Sequence, residues 1–289
     1  MLLDMKDTSL EGVIKNALEE DIGSLGDVTS ECLIDSECES EFSLVVNEDA
    51  VLAGLEVFKN VFLLLDKNMV ICSSSKDGDK IKSNTIVASV SGKTLSILKA
   101  ERTALNFICH LSGIASMTNR LVNLIKDTAV ILLDTRKTTP NMRLFEKQAI
   151  LSGGAKNHRF NLSEMVLIKD NHISSLGSVK SAILKVRDCY GKKYKIEVEV
   201  KDFQELNEAL LLKPDVIMFD NWKINDLKRA LKLVPDDIDT EASGQINIEN
   251  IADYAKTGVK YISTSYMVKH ASWIDFSLNA VEVKHEIKV

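Results

Sequence analysis

The chain has 289 residues, of which 45% are hydrophobic and 27% charged, with a formal net charge of −6. This composition is typical of a globular protein with a large core, and the negative charge argues against a general affinity for nucleic acid or anionic membranes. No apolar run in the sequence approaches the roughly 20 residues that are needed to span a bilayer.

The five cysteines are scattered and include no C-x-x-C pair, so the sequence predicts neither a zinc site nor a redox dithiol. Their odd number and apolar neighbours are typical of reduced thiols. Residues 1–21 mix acidic with apolar residues and lack the basic-then-apolar order of a signal peptide. We therefore expect a cytoplasmic protein with no membrane or nucleic-acid partner.

The first third of the chain mixes helical and strand patterns. Apolar residues at helical spacing predict a helix over 9–20, and glycines at 23 and 26 end it. Further predicted elements are strands at 42–46, 70–72 and 86–90 and a helix at 55–65. These elements predict a small α+β domain over residues 1–112.

A long helix is predicted to begin near Leu95, with Thr94 as a possible cap. Leu98 and Leu105 lie on its apolar face, and Arg102 lies close to that face. An arginine in such a position is commonly a residue with a buried stem and a solvated head. The residues therefore leave open whether Arg102 has a function.

After about residue 112 the chain alternates between short apolar runs and helical segments. The runs are at 130–133, 166–168, 194–200, 216–219, 238–240 and 261–263. Helical segments lie between them, at 176–187, 203–212, 224–233 and 248–257. Six strands alternating with helices predict a parallel β/α arrangement over residues 113–275.

The residues at the ends of these runs favour a barrel over an open sheet. Nearly every run ends in a polar residue suited to chemistry: Arg136 and Lys137, Lys169, Glu199, Asp220, Glu241 and Ser243, and Ser263. Convergence of so many strand ends requires the strands to curl around a common axis. We expect residues 276–289 to form a tail that packs back on the first domain.

The stretch from Ala129 to Ser174 is unusually rich in cations. It contains Arg136, Lys137, His158, Arg159 and Lys169. Clustered cations are costly unless a polyanion neutralises them, and paired arginines suit carboxylates or phosphates. Any one of these residues could instead belong to a structural ion pair.

Two carboxylates, Glu199 and Asp220, also lie at the ends of apolar runs and carry the opposite charge to the cations. Such a pair can hold Mg²⁺ through water, contact ribose hydroxyls or stabilise a developing positive charge. Small residues at 241–244 and 263–265 follow the last two strands, where barrels commonly bind phosphate through backbone N–H groups. No G-x-G-x-x-G or P-loop occurs. These features indicate transfer between a phosphorylated sugar and an acidic acceptor.

An ordered set of motifs resembles the nicotinate-nucleotide pyrophosphorylases (carboxylating), the quinolinate phosphoribosyltransferase family. The motifs are ERTALN at 101–106, DTRKTTP at 134–140, GGAKNHR at 153–159, LIKDNHI at 167–173, EVEV at 197–200, FDN at 219–221 and EASG at 241–244. The weaker EDIGSLGDVTS at 20–30 extends the resemblance to nearly the whole chain.

The resemblance implies a fold, a reaction and an assembly. The fold is an N-terminal α+β domain followed by an open, seven-stranded α/β barrel, although the residue pattern alone shows six strands. The reaction transfers phosphoribosyl from phosphoribosyl pyrophosphate to quinolinate with decarboxylation, giving nicotinate mononucleotide, pyrophosphate and CO₂ in de novo NAD biosynthesis. The assembly is a homodimer, or a higher oligomer, in which Arg102 reaches the neighbouring subunit's site.

The resemblance also assigns roles to residues. Quinolinate is expected to contact Arg102, Arg136, His158, Arg159 and Lys169. The phosphoribosyl pyrophosphate site is expected to comprise Lys137, Glu199, Asp220, Ser243, Gly244, Ser263 and Ser265. Lys137, Glu199 and Asp220 are the expected catalytic residues, and Glu199 and Asp220 are expected to hold Mg²⁺, mainly through water.

The chain departs from the family pattern after its last barrel strand. Ser265 and Tyr266 replace a usual Gly-Ala, Lys269 replaces a usual His, and Asn141 replaces a usual Gly. A related phosphoribosyltransferase associated with molybdenum transport has a similar Thr-Ser segment and is one alternative. Others are transfer to another pyridine or azole acid, a Schiff-base lyase using Lys137 or Lys169, and a catalytically silent binding protein.

Overall fold

The computed structural model describes residues 9–281. The elements of the first part are α1 (Leu10–Ile22), α2 (Val28–Leu33), β1 (Glu39–Val46), β2 (Ala50–Val51), α3 (Leu55–Leu65), β3 (Val70–Ser73), β4 (Lys80–Ile81), β5 (Thr85–Lys93) and α4 (Thr94–Leu124). Those that follow are β6 (Ile131–Leu133), α5 (Arg143–Ser152), β7 (Val166–Ile168), α6 (Asp170–Leu176), α7 (Val179–Tyr190), β8 (Ile196–Val200), α8 (Phe203–Leu212), β9 (Val216–Asp220), α9 (Ile224–Leu231), β10 (Asp239–Ser243), α10 (Ile251–Ala255), β11 (Tyr261–Ser263), α11 (Tyr266–Lys269) and β12 (Phe276–Ala280).

One compact unit comprises the described residues up to 117, together with 139–153 and those from 271 onward. Its main sheet is antiparallel, in the order β12-β1-β5-β3. Phe42, Leu44 and Val46 alternate along β1 and are buried, which gives the sheet one apolar face. This unit confirms the predicted N-terminal α+β domain.

Local sequence signals set the helix ends in this unit. The Ser9 hydroxyl accepts the Gly12 N–H at the start of α1, and Gly23 ends that helix with a φ of +65°. Helix α3 has the predicted bounds and buries Phe58 and Phe62 against the core. Strand β12 pairs with β1, and the rest of the predicted tail, beyond residue 281, lies outside the described residues.

The other compact unit comprises residues 118–138 and 154–270. Its sheet has six parallel strands in the order β6-β11-β10-β9-β8-β7, consistent with the predicted α/β barrel. Strands β6 and β7 are at the two ends of this order. Beside β6, Lys156 forms a parallel bridge with Leu133, which adds a short seventh parallel segment.

Alternation along the barrel strands separates an apolar face from a polar face. In β8, Val198 and Val200 are fully buried, whereas Glu197 and Glu199 point to the opposite side. In β9, Ile217 and Phe219 are buried on the side away from Asp220. The strands therefore project their charged residues toward one side of the sheet.

One predicted helix boundary was wrong. Leu176, expected to start a helix, is the last residue of α6, because Gly177 adopts a φ of +84° and Ser178 caps α7. The predicted domain limits at residues 112 and 275 stay predictions. By compactness the chain divides at 117, within α4, and at 270, and 139–153 joins the first unit. None of the described helices is both long and apolar enough to cross a membrane.

Candidate active site

Most predicted site residues of the barrel unit lie at or just beyond the carboxyl ends of its strands, whereas His158 and Arg159 lie in the segment between α5 and β7. Arg136 and Lys137 follow β6, Lys169 follows β7, and the others belong to β8 through β11 or to the residues after them: Glu199, Asp220, Ser243, Gly244, Ser263 and Ser265. Because the six strands are parallel, these positions share one edge of the sheet. The structure thus brings this predicted set together.

Lys169 and Glu199 form an ion pair across neighbouring strands. The pairing of Ile168 with Val198 sets the following residues side by side, so the Lys169 ammonium reaches the Glu199 carboxylate. Burial raises the pKa of Glu199, the bond to Lys169 opposes that rise, and the charge of Asp220 adds to it. Glu199 and Asp220 are therefore close enough to repel each other.

Arg159 carries a partly buried guanidinium beside a second one. Its Nη1 donates to the Met165 carbonyl at 2.8 Å, and its buried Nε has no hydrogen-bond partner among the described residues. Burial lowers the pKa of Arg159, and the positive charge of Arg136 lowers it further. Two neighbouring guanidinium groups of this kind are suited to binding carboxylates.

His158 does not point toward these guanidinium groups but into a buried cluster of acids. Its Nε2 lies 2.9 Å from Glu197 Oε2 and 3.6 Å from Glu241 Oε2. Both glutamates are 1% exposed, so the cluster is shielded from solvent. Burial would lower the pKa of His158, but the hydrogen bond and charge of Glu197 and the charges of Glu241 and Asp134 together raise it.

Burial and the nearby charge of Glu197 raise the pKa of Glu241 to about 8, while His158 acts in the opposite direction. At neutral pH Glu241 is therefore mostly protonated. A direct contact between His158 and quinolinate stays a prediction. The sequence pattern predicts Glu241 only as a strand-end residue and assigns no role to Glu197, although Glu197 shares its strand face with Glu199.

A cavity of about 410 Å³ adjoins the ends of β10 and β11. It is lined by the residues predicted for the sugar phosphate, Lys137, Ser243, Gly244, Ser263 and Ser265, and also by Lys269 and His270. Ser263 donates to Ser243 at 3.0 Å, which joins the two strand ends. Small side chains and hydroxyls thus form one wall of this cavity, and cations form another.

Gly244 is required by its surroundings. Its φ is +92°, and a Cβ atom there would lie 2.4 Å from the Asn221 side-chain oxygen. Just beyond β11, where the chain departs from the family pattern, the Tyr266 ring stacks on His270 at 4.3 Å between centroids. This stack occupies the place expected for small residues.

Arg102 belongs to the other compact unit, where it is exposed on α4. Burial raises the pKa of its neighbour Glu101, and the charge of Arg102 partly opposes that rise. Arg102 is thus the one predicted site residue that the structure does not place in the barrel unit. The contribution of Arg102 to a neighbouring subunit stays a prediction.

Two family models match the sequence and together span most of it. They are described as "Quinolinate phosphoribosyl transferase, N-terminal domain", matching residues 27–112, and "Quinolinate phosphoribosyl transferase, C-terminal domain", matching residues 114–279. The chain belongs to the quinolinate phosphoribosyltransferase family.

Individual relatives of this family agree in length and structure. A "Probable nicotinate-nucleotide pyrophosphorylase [carboxylating]" of Bacillus subtilis is 38% identical over 276 residues, covering 95% of this chain and 94% of the relative. "Quinolinate phosphoribosyltransferase [decarboxylating] 1b" of Nicotiana tabacum is 37% identical, covering 93% of this chain and 81% of the relative. The crystal structure of NadC from Streptococcus pyogenes superimposes with a TM-score of 0.90 at 38% identity, covering 97% of this chain and all of that one.

The resemblance drawn from the sequence motifs is therefore confirmed. Membership of the quinolinate phosphoribosyltransferase family does not favour the alternatives of a molybdenum-transport-associated enzyme or a Schiff-base lyase.

Proposed function

We propose that this chain transfers phosphoribosyl from phosphoribosyl pyrophosphate to quinolinate with loss of CO₂, giving nicotinate mononucleotide and pyrophosphate in de novo NAD biosynthesis. The observation that carries the proposal is that Arg136 and Arg159 are neighbours in the same unit as a cavity of about 410 Å³ lined by small and hydroxyl residues. The relatives named for this reaction support it.

The acceptor half of the proposed site recognises two carboxylates. Arg136 and Arg159 supply planar donor pairs, and Lys169 supplies a compact charge. The buried, unpartnered Nε of Arg159 supports this role, because a bound carboxylate would satisfy it. Glu199 neutralises Lys169, so acceptor binding at Lys169 would exchange one anionic partner for another.

The donor half takes the sugar phosphate and pyrophosphate. Ser243, Gly244, Ser263 and Ser265 line the cavity, so backbone N–H groups and hydroxyls can surround a phosphate there. Lys137 also lines the cavity, and we assign it a place between the two substrates. Lys269, on the same wall, supplies a further positive charge.

The chemistry follows from these charges. As pyrophosphate leaves, positive charge develops at ribose C1, and Glu199 and Asp220 stabilise it electrostatically. The pyridine nitrogen then bonds to C1, and its positive charge favours loss of the adjacent carboxylate as CO₂. Positioning and electrostatics account for the reaction without a covalent enzyme intermediate.

Mg²⁺ is the expected cofactor. Glu199 and Asp220 offer two mutually repelling carboxylates beside the donor half, which suits a cation held through water. When bound, Mg²⁺ would neutralise charge on the departing pyrophosphate. The residues of this chain would orient that pyrophosphate and hold the acceptor on the opposite side.

We also propose a homodimer, or a higher oligomer, in which Arg102 completes a neighbouring subunit's acceptor site. The exposure of Arg102 on α4 supports this assignment, because a residue that serves another subunit must be accessible. The five free cysteines support a cytoplasmic location.

The purified chain, supplied with quinolinate, phosphoribosyl pyrophosphate and Mg²⁺, is expected to release equal amounts of pyrophosphate, CO₂ and nicotinate mononucleotide. Lys137→Ala should abolish release, whereas Lys192→Ala, at an exposed position outside the proposed site, should not. Absence of all three products from the wild type at saturating substrates would contradict the proposal.

A further inference from the structure

Two glutamates and a histidine meet inside the barrel unit, below the proposed acceptor half. Glu197 and Glu241 are each 1% exposed, and both oxygens of Glu197 and Oε1 of Glu241 lack a well-aligned hydrogen-bond partner among the described residues. Two buried acids this close lower the stability of a fold. Their presence therefore indicates a role other than stabilising the core. The imidazole of His158, the residue immediately before Arg159, lies beside both of them.

His158 is fixed through three separate polar groups. Its Nε2 faces Glu197 at 2.9 Å, and its backbone N–H donates to Asp134 Oδ1 at 2.6 Å. Its Nδ1 accepts the backbone N–H of Arg159 at 2.8 Å. An Nδ1 that accepts a hydrogen bond carries no proton, so the neutral ring holds its proton on Nε2, the nitrogen that faces Glu197.

We propose that Glu197 and Glu241 are positioning residues for the acceptor half, and that they act on Arg159 through the ring of His158. Glu197 fixes the tautomer and orientation of the imidazole. The Nδ1 lone pair then holds the Arg159 backbone N–H, which sets the direction of the guanidinium. The inference deepens the proposed function and depends on it for the identity of the acceptor.

A second contribution of the acids is electrostatic. The negative charge of Glu197 raises the pKa of Arg159, against the effects of burial and of Arg136. Glu197 therefore lets two guanidinium groups stay together before any dicarboxylate arrives. Glu241 lies 3.6 Å from the imidazole rather than 2.9 Å, so its effect on the ring should be weaker than that of Glu197.

The kinetic test compares two substitutions of Glu197 in the full-length enzyme. Glu197→Leu removes the acceptor for Nε2–H and should raise the KM for quinolinate about 50-fold. Glu197→Gln keeps an acceptor oxygen but removes the charge, so we expect partial rescue, with a rise of about fivefold. The KM for phosphoribosyl pyrophosphate should stay within about twofold of the wild type in both variants.

Measuring the Tm of the variants distinguishes a positioning role of Glu197 from a merely structural one. Glu197→Gln relieves a crowded pair of buried acids, so its Tm should equal or exceed that of the wild type. Glu249→Gln, at an exposed position, is the matched control. It should change neither the two KM values nor the Tm. Equal rises in both KM values with a lower Tm, or no change in either KM, would overturn the proposal.

A measurement that needs no turnover keeps the inference separate from the proposed function. In enzyme with ¹⁵N-labelled histidine, assigned with a His158→Gln variant, neutral His158 should carry its proton on Nε2. Phthalate, an aromatic dicarboxylate, should bind more weakly to Glu197→Leu than to the wild type by calorimetry. A neutral His158 with its proton on Nδ1 refutes the inference even if the enzyme is active, whereas absent quinolinate turnover with the expected tautomer and weakened phthalate binding refutes only the assigned reaction.

Discussion

The two halves of the proposed site are built from different materials. The acceptor half consists of long cationic side chains, Arg136, Arg159 and Lys169, whose positions depend on acids beside and below them. The donor half consists of small residues whose backbone conformation leaves room for the phosphate, as Gly244 illustrates. Loss of positive charge should therefore weaken substrate binding in the acceptor half, and added side-chain bulk should weaken it in the donor half.

The largest expected effect comes from Arg159→Ala. Removing the guanidinium leaves one substrate carboxylate and Arg136 poorly matched, so kcat/KM for quinolinate should fall about 1000-fold, on the order of 4 kcal/mol. Steady-state kinetics with each substrate varied in turn would measure this. An equal loss of affinity for phosphoribosyl pyrophosphate would show that the two halves are not separable.

Gly244→Ala tests the donor half in the same way. The new Cβ would clash with Asn221, so the KM for phosphoribosyl pyrophosphate should rise about 30-fold while phthalate binding is unchanged. Gly258→Ala is a matched control, because Gly258 has nearly the same φ, +91°, but nothing within 4 Å of a Cβ.

Both glycine variants should lose about 1 kcal/mol of unfolding free energy from the positive φ. Only Gly244→Ala should lose donor affinity. Similar kinetic defects in the two variants would attribute the effect to backbone strain in general.

The buried acids predict a pH dependence of stability. The folded-state pKa of Glu241, about 8, lies above its ordinary value of 4.5, so the folded chain binds a proton more tightly than the unfolded chain. The associated stability is fully present below the ordinary pKa and is lost as the pH rises through about 8. The Tm of the wild type should therefore fall relative to that of Glu241→Gln between about pH 5 and about pH 9. Parallel Tm profiles for the two proteins would contradict this.

The smallest expected effect is that of Tyr266→Ala. Loss of the stack on His270 frees one wall of the donor cavity, and we expect a rise of about threefold in the KM for phosphoribosyl pyrophosphate. His270→Ala should reproduce that rise if the stack is responsible. A fall in this KM would instead mean that Tyr266 obstructs the donor half.

Residues at the strand ends were predictable from the sequence because a rule about parallel sheets places them. Arg136, Lys169, Glu199 and Asp220 each follow or end an apolar run, and the structure sets them at one edge. Predicting the ion pair between Lys169 and Glu199 requires the register of β7 on β8. Apolar runs do not specify that register to a single residue.

The buried cluster of His158, Glu197 and Glu241 was harder to predict. Glu197 lies within an apolar run, and only its two-residue spacing from Glu199 indicates that both point to the same side. Its neighbours His158 and Glu241 come from distant parts of the chain, so their meeting depends on tertiary structure. Turn chemistry also outweighed periodicity at Gly177, where a positive φ ends α6 just after Leu176, the residue at which the pattern predicts a helix to begin.

The segment beside β6 limits how this enzyme can be redesigned or can diverge. Lys156 forms the only described parallel bridge that extends the sheet beyond β6, and Arg159, three residues later, contacts the residue that precedes β7. The same short segment thus completes the sheet and presents a substrate-binding cation. Substitutions that retune the acceptor at this segment should therefore affect the pairing beside β6 as well. Lys169 directly follows β7, which pairs with β8, and is the position at which specificity can change with less cost to the structure.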